Sequence, residues 1–548
     1  MNGFIKGDLS GIQDFIFNIQ SDGASRMLTT RSFFIQISIQ LCIEKILKAF
    51  DLSREKYLIS DRGGSFFICM DSEPGNKLEE IEKQVNKDLA PHNLYISIVW
   101  TKMKDNWGNT LNVLKEKEET QKFQRYHKQP DVFEPFDSTF KTYEKESNES
   151  ETQNWLYFAK TLSQSKGYCI KEAKEEMNSI NKDSVVLFGL EFILLKENSE
   201  DNSFRSFDKP EYSLMNEFPL WSEGNPYFDN LDKYNDIEEE LNQNKLDDYK
   251  LPEKDAIIDL DHLVIQAKVR TGSDQLGVIK MDVDNMGTLF RNNFDTQTKF
   301  KDASDDISSF WGLHLKQFWR EKKFKDLNGL EHAFRDNILI VYAGGDDCFL
   351  MGGWDAIVNF AYRFKREFDC YFDKKITFSA SLLLLQATTP VIQIGTLAED
   401  ELEHAKHFDN DRKDSISLFG EVFTWEEFGK INDLVQILAQ LITGNGGNPP
   451  ESKALLQKIC LSARGYDALM RHATCQKQVN FQKVWNLSWF ILRGVQKENR
   501  ELVDRKIVTQ YHDAVLTAIT INEYASALIY PAAARITELL TRNINNHV

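Results

Sequence analysis

One order of elements occurs twice in this 548-residue chain. That repetition constrains the fold more than any single motif, because each copy has to build its own sheet. Residues 3–9 (GFIKGDL) read as a short strand, a helical stretch follows from Gly11, and 31–50 reads as a long amphipathic helix. The runs 56–60 (KYLIS) and 65–70 (SFFICM) are apolar and β-prone, and Asp61-Arg62-Gly63-Gly64 between them is a hairpin signature. A charged helix over about 76–90 and a strand over 94–102 complete the order β-α-β-β-α-β, the ferredoxin-like or palm arrangement.

The later copy starts with a strand at 276–283 (LGVIKMDV). Strands at 337–343 and 348–351 form a hairpin through Gly344-Gly345-Asp346-Asp347, then come a helix at 354–371 and a strand at 376–385. Ile5-Lys6-Gly7-Asp8 matches Ile279-Lys280-Met281-Asp282, and Gly63-Gly64 matches Gly344-Gly345. The expected class is α+β, with two ferredoxin-like palm domains as a pseudo-dimer. The expected division is a first palm over 1–105, an insert domain over 106–270, a second palm over 271–428 and a C-terminal helical domain over 429–548. The insert is rich in Asn, Ser, Asp and Glu, which reads as solvated surface, with one strand-like run at 184–195. Residues 444–450 (GNGGNPP) interrupt the helices of the last domain.

The formal charge of −18 argues against a chain that coats nucleic acid by itself, since phosphate binding wants a basic surface. It leaves room for nucleic acid held by partner subunits. The seven cysteines include no CxxC pair, which fits reduced thiols and not a disulfide framework or zinc ribbon. The N-terminus lacks a signal-peptide pattern, and no apolar run reaches membrane-span length, so a cytoplasmic protein is expected.

The residues best suited to chemistry are Asp282, Asp346 and Asp347, which the fold would bring to one sheet edge. Carboxylates of this kind hold hard divalent cations such as Mg²⁺ or Mn²⁺ together with substrate phosphates. Two ions so held can activate a 3′-hydroxyl and stabilise a leaving pyrophosphate. Gly344 and Gly345 would let a triphosphate approach the backbone, with Asp284 and Asn285 beside it. A plain Gly-Gly turn with solvated acids is the alternative, and the strand residues Asp282 and Asp284 argue against it. Lys406, in a helix expected over 398–408, and Lys413 are candidates to neutralise a triphosphate, against the plain reading of surface lysines. The first palm keeps Asp8 but has Ser65 and Phe66 where the second has Asp346 and Asp347. It is expected to bind a second nucleotide through Gly7, Asp8, Ser10, Gly11, Gln13, Gly63 and Gly64, without a metal pair of its own. Phe15 and Phe17 read as core. His512-Asp513 lacks metal-ligand spacing and reads as a helix-surface pair.

Gly7-Asp8-Leu9-Ser10-Gly11-Ile12-Gln13-Asp14-Phe15, Lys280-Met281-Asp282-Val283-Asp284-Asn285-Met286-Gly287 and Ala343-Gly344-Gly345-Asp346-Asp347 resemble the palm signatures of the large polymerase-cyclase subunit of type III CRISPR effector complexes. Ala405-Lys406 and the run 415–427 follow the same pattern. The resemblance implies a nucleotidyltransferase that, when target RNA activates the guide-RNA complex, turns ATP into cyclic oligoadenylate. It implies Mg²⁺ or Mn²⁺ on Asp282, Asp346 and Asp347, a second ATP on the first palm, and other complex subunits as partners.

This sequence departs from the family pattern in two places. The first palm begins at residue 3, where most members carry an N-terminal His-Asp nuclease domain, so no DNase activity is expected from this chain. The insert has only Cys169, so no zinc is expected where members usually hold it. The hairpin acid Asp61 opens an alternative product, since some members join ATP to S-adenosylmethionine, whose amino or sulfonium group a carboxylate could meet. The plain reading makes Asp61 a turn residue. Of other classes, a non-catalytic scaffold would have no use for three mutually repelling carboxylates. A free-standing nucleotidyl cyclase fits the long helical tail less well.

Overall fold

The structure is a computed structural model that describes residues 3–19, 23–61, 63–124, 145–174, 178–197, 204–207, 216–222, 254–293, 296–444, 453–460 (458 excepted) and 525–543, with single residues between. The first unit contains β1 (Gly3–Ser10), α1 (Ile12–Phe17), α2 (Ala24–Ala49), β2 (Leu58–Ser60), β3 (Ser65–Met70), α3 (Asn76–Leu89) and β4 (Tyr95–Lys102). Its sheet runs β2-β3-β1-β4 and is antiparallel throughout. Side chains alternate across β1, as the two-residue period of a strand requires. Ile5 and Leu9 pack with Phe33 and Leu41 of α2. Phe4, on the other face, meets Trp107 edge-on at 4.7 Å.

Trp107 begins α4 (Trp107–Phe123), whose N-cap Asn106 accepts from the backbone N–H of Asn109. The insert then carries α5 (Lys145–Ser163), β5 (Gly167–Glu172), β6 (Ser179–Ile180), β7 (Ser184–Leu187), β8 (Leu190–Leu195) and β9 (Arg205–Ser206). These strands form a five-stranded sheet of order β6-β7-β8-β5-β9. The single apolar run of the sequence is therefore two strands. Phe188 and Gly189 both take positive φ and close a two-residue hairpin with Leu187 opposite Leu190. A phenylalanine at that corner hides the turn from a reading based on turn-forming residues.

After α6 (Leu260–Thr271) comes the second unit. It contains β10 (Gln275–Val283), α7 (Met286–Asn293), α8 (Gln297–Ser309), a π-helical turn at Phe310–His314, α9 (Leu315–Glu321), a small ribbon of β11 (Lys323–Lys325) and β12 (Glu331–Ala333), β13 (Ile338–Gly344), β14 (Asp347–Gly353), α10 (Trp354–Tyr371) and β15 (Phe378–Gln386). The order β13-β14-β10-β15 repeats that of the first sheet, and β16 (Ser415–Leu418) and β17 (Glu421–Thr424) extend it. Between β15 and β16 lies α11 (Val391–Lys406), which starts earlier than the sequence suggests and stops before Phe408. On β10, Ile279, Met281 and Val283 face Phe360 and Phe364 of α10. Leu276 and Val278 face the core shared with the first unit. Phe17 and Phe349 join that core at 4.6 Å, and Gly395 of α11 has no room for a side chain because the Phe17 ring lies against it.

The strand registers correct the sequence alignment of the two hairpins by one residue. Asp8 lies opposite Ser65, and Asp282 lies opposite Asp347. Leu9 N–H donates to Gly64 O, as Val283 N–H donates to Asp346 O, each at 2.9 Å. Ser65 thus occupies the place of Asp347, Gly64 that of Asp346, and Gly63 that of Gly345. A one-residue slip exchanges the faces of a strand, so this decides which groups correspond.

The C-terminal part begins at α12 (Trp425–Thr443), opened by a capping box between Thr424 and Glu427. It packs with α13 (Ala525–Leu540) in the second unit's core. Residues 445–450 and His512 lie outside the described residues.

Candidate functional site

The two Gly-Gly turns touch each other. A Cβ on Gly63 would lie 2.8 Å from the Gly345 Cα, and both glycines have φ of +68°. Only glycine adopts that conformation without strain, and only glycine fits the contact. Since Gly63 and Gly345 are equivalent positions, each unit offers the other the same tip.

The acids gather on the second-unit side of this contact. Asp282 and Asp347 are register partners on neighbouring strands, with Asp346 at the turn. Lys406, from the last turn of α11, holds Asp282 Oδ2 at 2.7 Å and Glu403 at 3.1 Å. Tyr342 OH donates to Asp347 Oδ2 at 3.2 Å. Burial, then the charge of Asp346, raises the Asp347 pKa to about 8. Burial, then Asp346, raises Asp282 to about 6 against the pull of Lys406. Burial also raises Asp346.

Among the described residues, no three His, Cys, Asp or Glu side chains converge as a ready-made ligand set, and Lys406 takes an oxygen of Asp282. The donor chemistry nevertheless fits a hard divalent cation: three carboxylates on one edge resist ionising together, and such an ion would relieve that.

Two cavities meet at the turns. One, of about 210 Å³, is lined by Gln13, Ser32, Gly63, Gly64, Tyr342 and the three acids. The other, of about 320 Å³, lies on the first unit's outer face and is lined by Lys6, Ser65, Phe67, Glu118, Ser304, Gly345 and Asp346. Asp346 borders both. Ser32 is buried, and its hydroxyl in the first cavity has no hydrogen-bond partner among the described residues. Phe300, Ser304 and Ser308 reach the second cavity from α8. The π-helical turn that follows places Phe310 and Trp311 in the core.

The first unit answers its own strand acid differently. Lys122 of α4 bonds both Asp8 and Glu118, and Glu118 also pairs with Lys6. In the second unit, α11 offers Lys406 to Asp282 and Glu399 to Lys280. The duplication therefore includes the helix after the fourth strand, which sequence comparison had not shown. Around Asp8, two lysines balance two acids. Around Asp282, Lys280 and Lys406 face the three acids and Glu399.

The structure separates the predicted residues into groups. Asp282, Asp346, Asp347, Gln13, Gly63 and Gly64 share one cavity, Gly345 lines the other, and Gly344 O lies against Gly63. Lys406 reaches the acids, and Lys413 donates to Asn285 Oδ1 at 2.7 Å. The remaining expected residues have other surroundings in the structure. Gly7 faces the unit's own core, where the Phe66 ring leaves no space for a Cβ. Gly11 is the left-handed residue before α1, pressed on Asn93 O. Ser10 pairs with Tyr95 at the end of β1 and lines neither cavity. Asp61 is held by Arg54 and Gln40. Asp284 is buried and accepts from Ser379, Thr377 and the Asp414 N–H, so it ties strands together. The sequence reading missed Ser32, Tyr342, Glu399, Glu118 and Lys122. Only the repeated Lys-x-Asp of Lys6 and Lys280 hinted at their partners.

Two family descriptions match the chain: Cas10/Cmr2, second palm domain, over residues 275–417, and Csm1 subunit domain B over residues 1–138. A protein of Methanocaldococcus jannaschii described as CRISPR system single-strand-specific deoxyribonuclease Cas10/Csm1 (subtype III-A) is 27% identical over 466 residues, 74% of this chain and 56% of that protein. The chain is similar to Cas10/Csm1 proteins along both matched stretches. A Cas10/Csm1 protein of Streptococcus thermophilus with the same description is 24% identical, over 76% of this chain and 54% of its own. The chain thus spans a little over half the length of these Cas10/Csm1 relatives. A chain of the crystallised Csm1–Csm4 subcomplex shares the fold with a TM-score of 0.68 and 18% identity, over 99% of this chain and 70% of that one. The Csm1–Csm4 cassette in complex with cA4 gives the same score, also at 18% identity. The Cas10/Cmr2 match spans β10 to β16, and the Csm1 match spans the first unit through α4.

Proposed function

We propose that this chain is the large subunit of a type III CRISPR complex and, once target RNA is bound to the guide, makes cyclic oligoadenylate from ATP. The observation that carries the reading is the pair of cavities meeting at Asp346 beneath the Gly63–Gly345 contact. The solved relatives held ATP, pppApA, cA3 or cA4, which supports adenine nucleotides as the class. In this reading the palms 1–105 and 271–428 each hold one ATP, and the rest of the chain docks partner subunits such as a Csm4-like protein.

Asp282, Asp346 and Asp347 would hold Mg²⁺ or Mn²⁺, which supplies activation of the 3′-hydroxyl and charge stabilisation on the leaving pyrophosphate. Lys406 leaves Asp282 for the triphosphate, keeping its charge beside the acids. Gly63 and Gly64 leave the backbone open to the nucleotide, and Ser32 offers a buried hydroxyl to it. Lys122 fills the cation place beside Asp8, which leaves one metal centre per chain. With Asp61 committed to Arg54, no described residue of the two cavities favours S-adenosylmethionine as co-substrate.

Mass spectrometry of products formed by the assembled, target-bound complex from ATP, with and without S-adenosylmethionine, tests the reading. Cyclic oligoadenylate is expected in both cases. Absence of both product and pyrophosphate would leave the scaffold reading in its place. Added Mn²⁺ should also raise the melting temperature of the wild-type chain and not that of Asp282→Asn/Asp347→Asn. An ion at a hundred times its dissociation constant stabilises by about 2.7 kcal/mol.

A further inference from the structure

Lys280 stands on β10 two residues before Asp282, hence on the same face of the sheet. It is buried, and a buried ammonium needs an anionic partner. That partner is Glu399 of α11. Gln13 Nε2, from α1 of the first unit, donates to the same Glu399 oxygen at 2.9 Å. The first unit repeats the device, with Lys6 two residues before Asp8 and paired with Glu118. Lys406 on Asp282 shows that an ammonium can take one of these carboxylates.

We propose that Glu399, steadied by Gln13, is a positioning residue that keeps Lys280 off the acids. Deprived of Glu399, the buried lysine turns to the carboxylates already within reach of its charge, Asp282, Asp346 and Asp347, and covers oxygens that a divalent cation requires. Glu399 bonds neither acid; its bonded partners among the described residues are Lys280 and Gln13, so Lys280 carries its main effect. The proposal rests on the metal-binding reading of Asp282, Asp346 and Asp347. It adds that the first unit reaches that centre through Gln13.

The test is Mn²⁺ binding to the full chain, read as free Mn²⁺ by electron paramagnetic resonance. Glu399→Gln should weaken binding roughly tenfold, the scale on which a neighbouring cation changes a carboxylate's hold on a proton. Lys280→Met in the same chain should return it to the wild-type value, which loss of a merely structural contact would not do. Lys280→Met alone, close in shape, should bind Mn²⁺ at least as well as wild type, and it decides the matter if Glu399→Gln does not fold. Unchanged binding in folded Glu399→Gln, weaker binding in Lys280→Met, or no recovery in the double variant would each overturn the proposal. A wild-type chain that binds no Mn²⁺ would instead remove the metal reading beneath it.

Discussion

Replacing Asp346 and Asp347 together by alanine should abolish product formation by the assembled complex. Removing one group that stabilises developing charge already costs about 10²–10³-fold, and this change removes two of three. The loss should come without unfolding. Asp347, with its pKa pushed to about 8 by burial and by Asp346, is a source of repulsion in the protein without metal. The variant's metal-free melting temperature should therefore equal or exceed that of the wild type. A folded variant that still releases pyrophosphate would sink the enzymatic assignment. A variant that is inactive because it has unfolded would sink the account of the acids as repelling groups.

The second large effect is expected at Gly63, far in sequence from the acids. Gly63→Val places a branched side chain at φ +68° and against the Gly345 backbone. Overpacking typically costs 1–3 kcal/mol, and the left-handed conformation adds roughly 1–2 kcal/mol. A loss of about 3 kcal/mol in unfolding free energy is expected, measured by urea titration. Activity should fall further than stability, because the turns bound both cavities. Gly329→Val serves as the control, being also at positive φ but with open space around it. Equal losses at the two positions would show that backbone strain, and not the contact between turns, sets the cost.

Much of this was readable in the chain. The order of strands and helices followed from apolar runs punctuated by Gly-Gly turns, and Asp282 on its strand with Asp346 and Asp347 on the hairpin stood out because those places were clear. What escaped depended on register or on long-range pairing. Counting glycines aligned Gly63-Gly64 with Gly344-Gly345, whereas the ladder pairs Asp8 with Ser65 and Asp282 with Asp347. Gly7 looked like an opening for a nucleotide, yet its missing side chain accommodates Phe66. Asp284 looked like a ligand, yet three donors hold it in the fold. Glu118 and Glu399 lie more than a hundred residues from Lys6 and Lys280, and no local pattern announces such a pair.

The meeting of Gly63 with Gly345 has a mechanical meaning. Two equivalent positions in mutual contact, with Asp346 bordering both cavities, make one shared wall. A side chain added at Gly63 would press on the Gly345 backbone, so a substitution on one half reshapes the cavity beside the other.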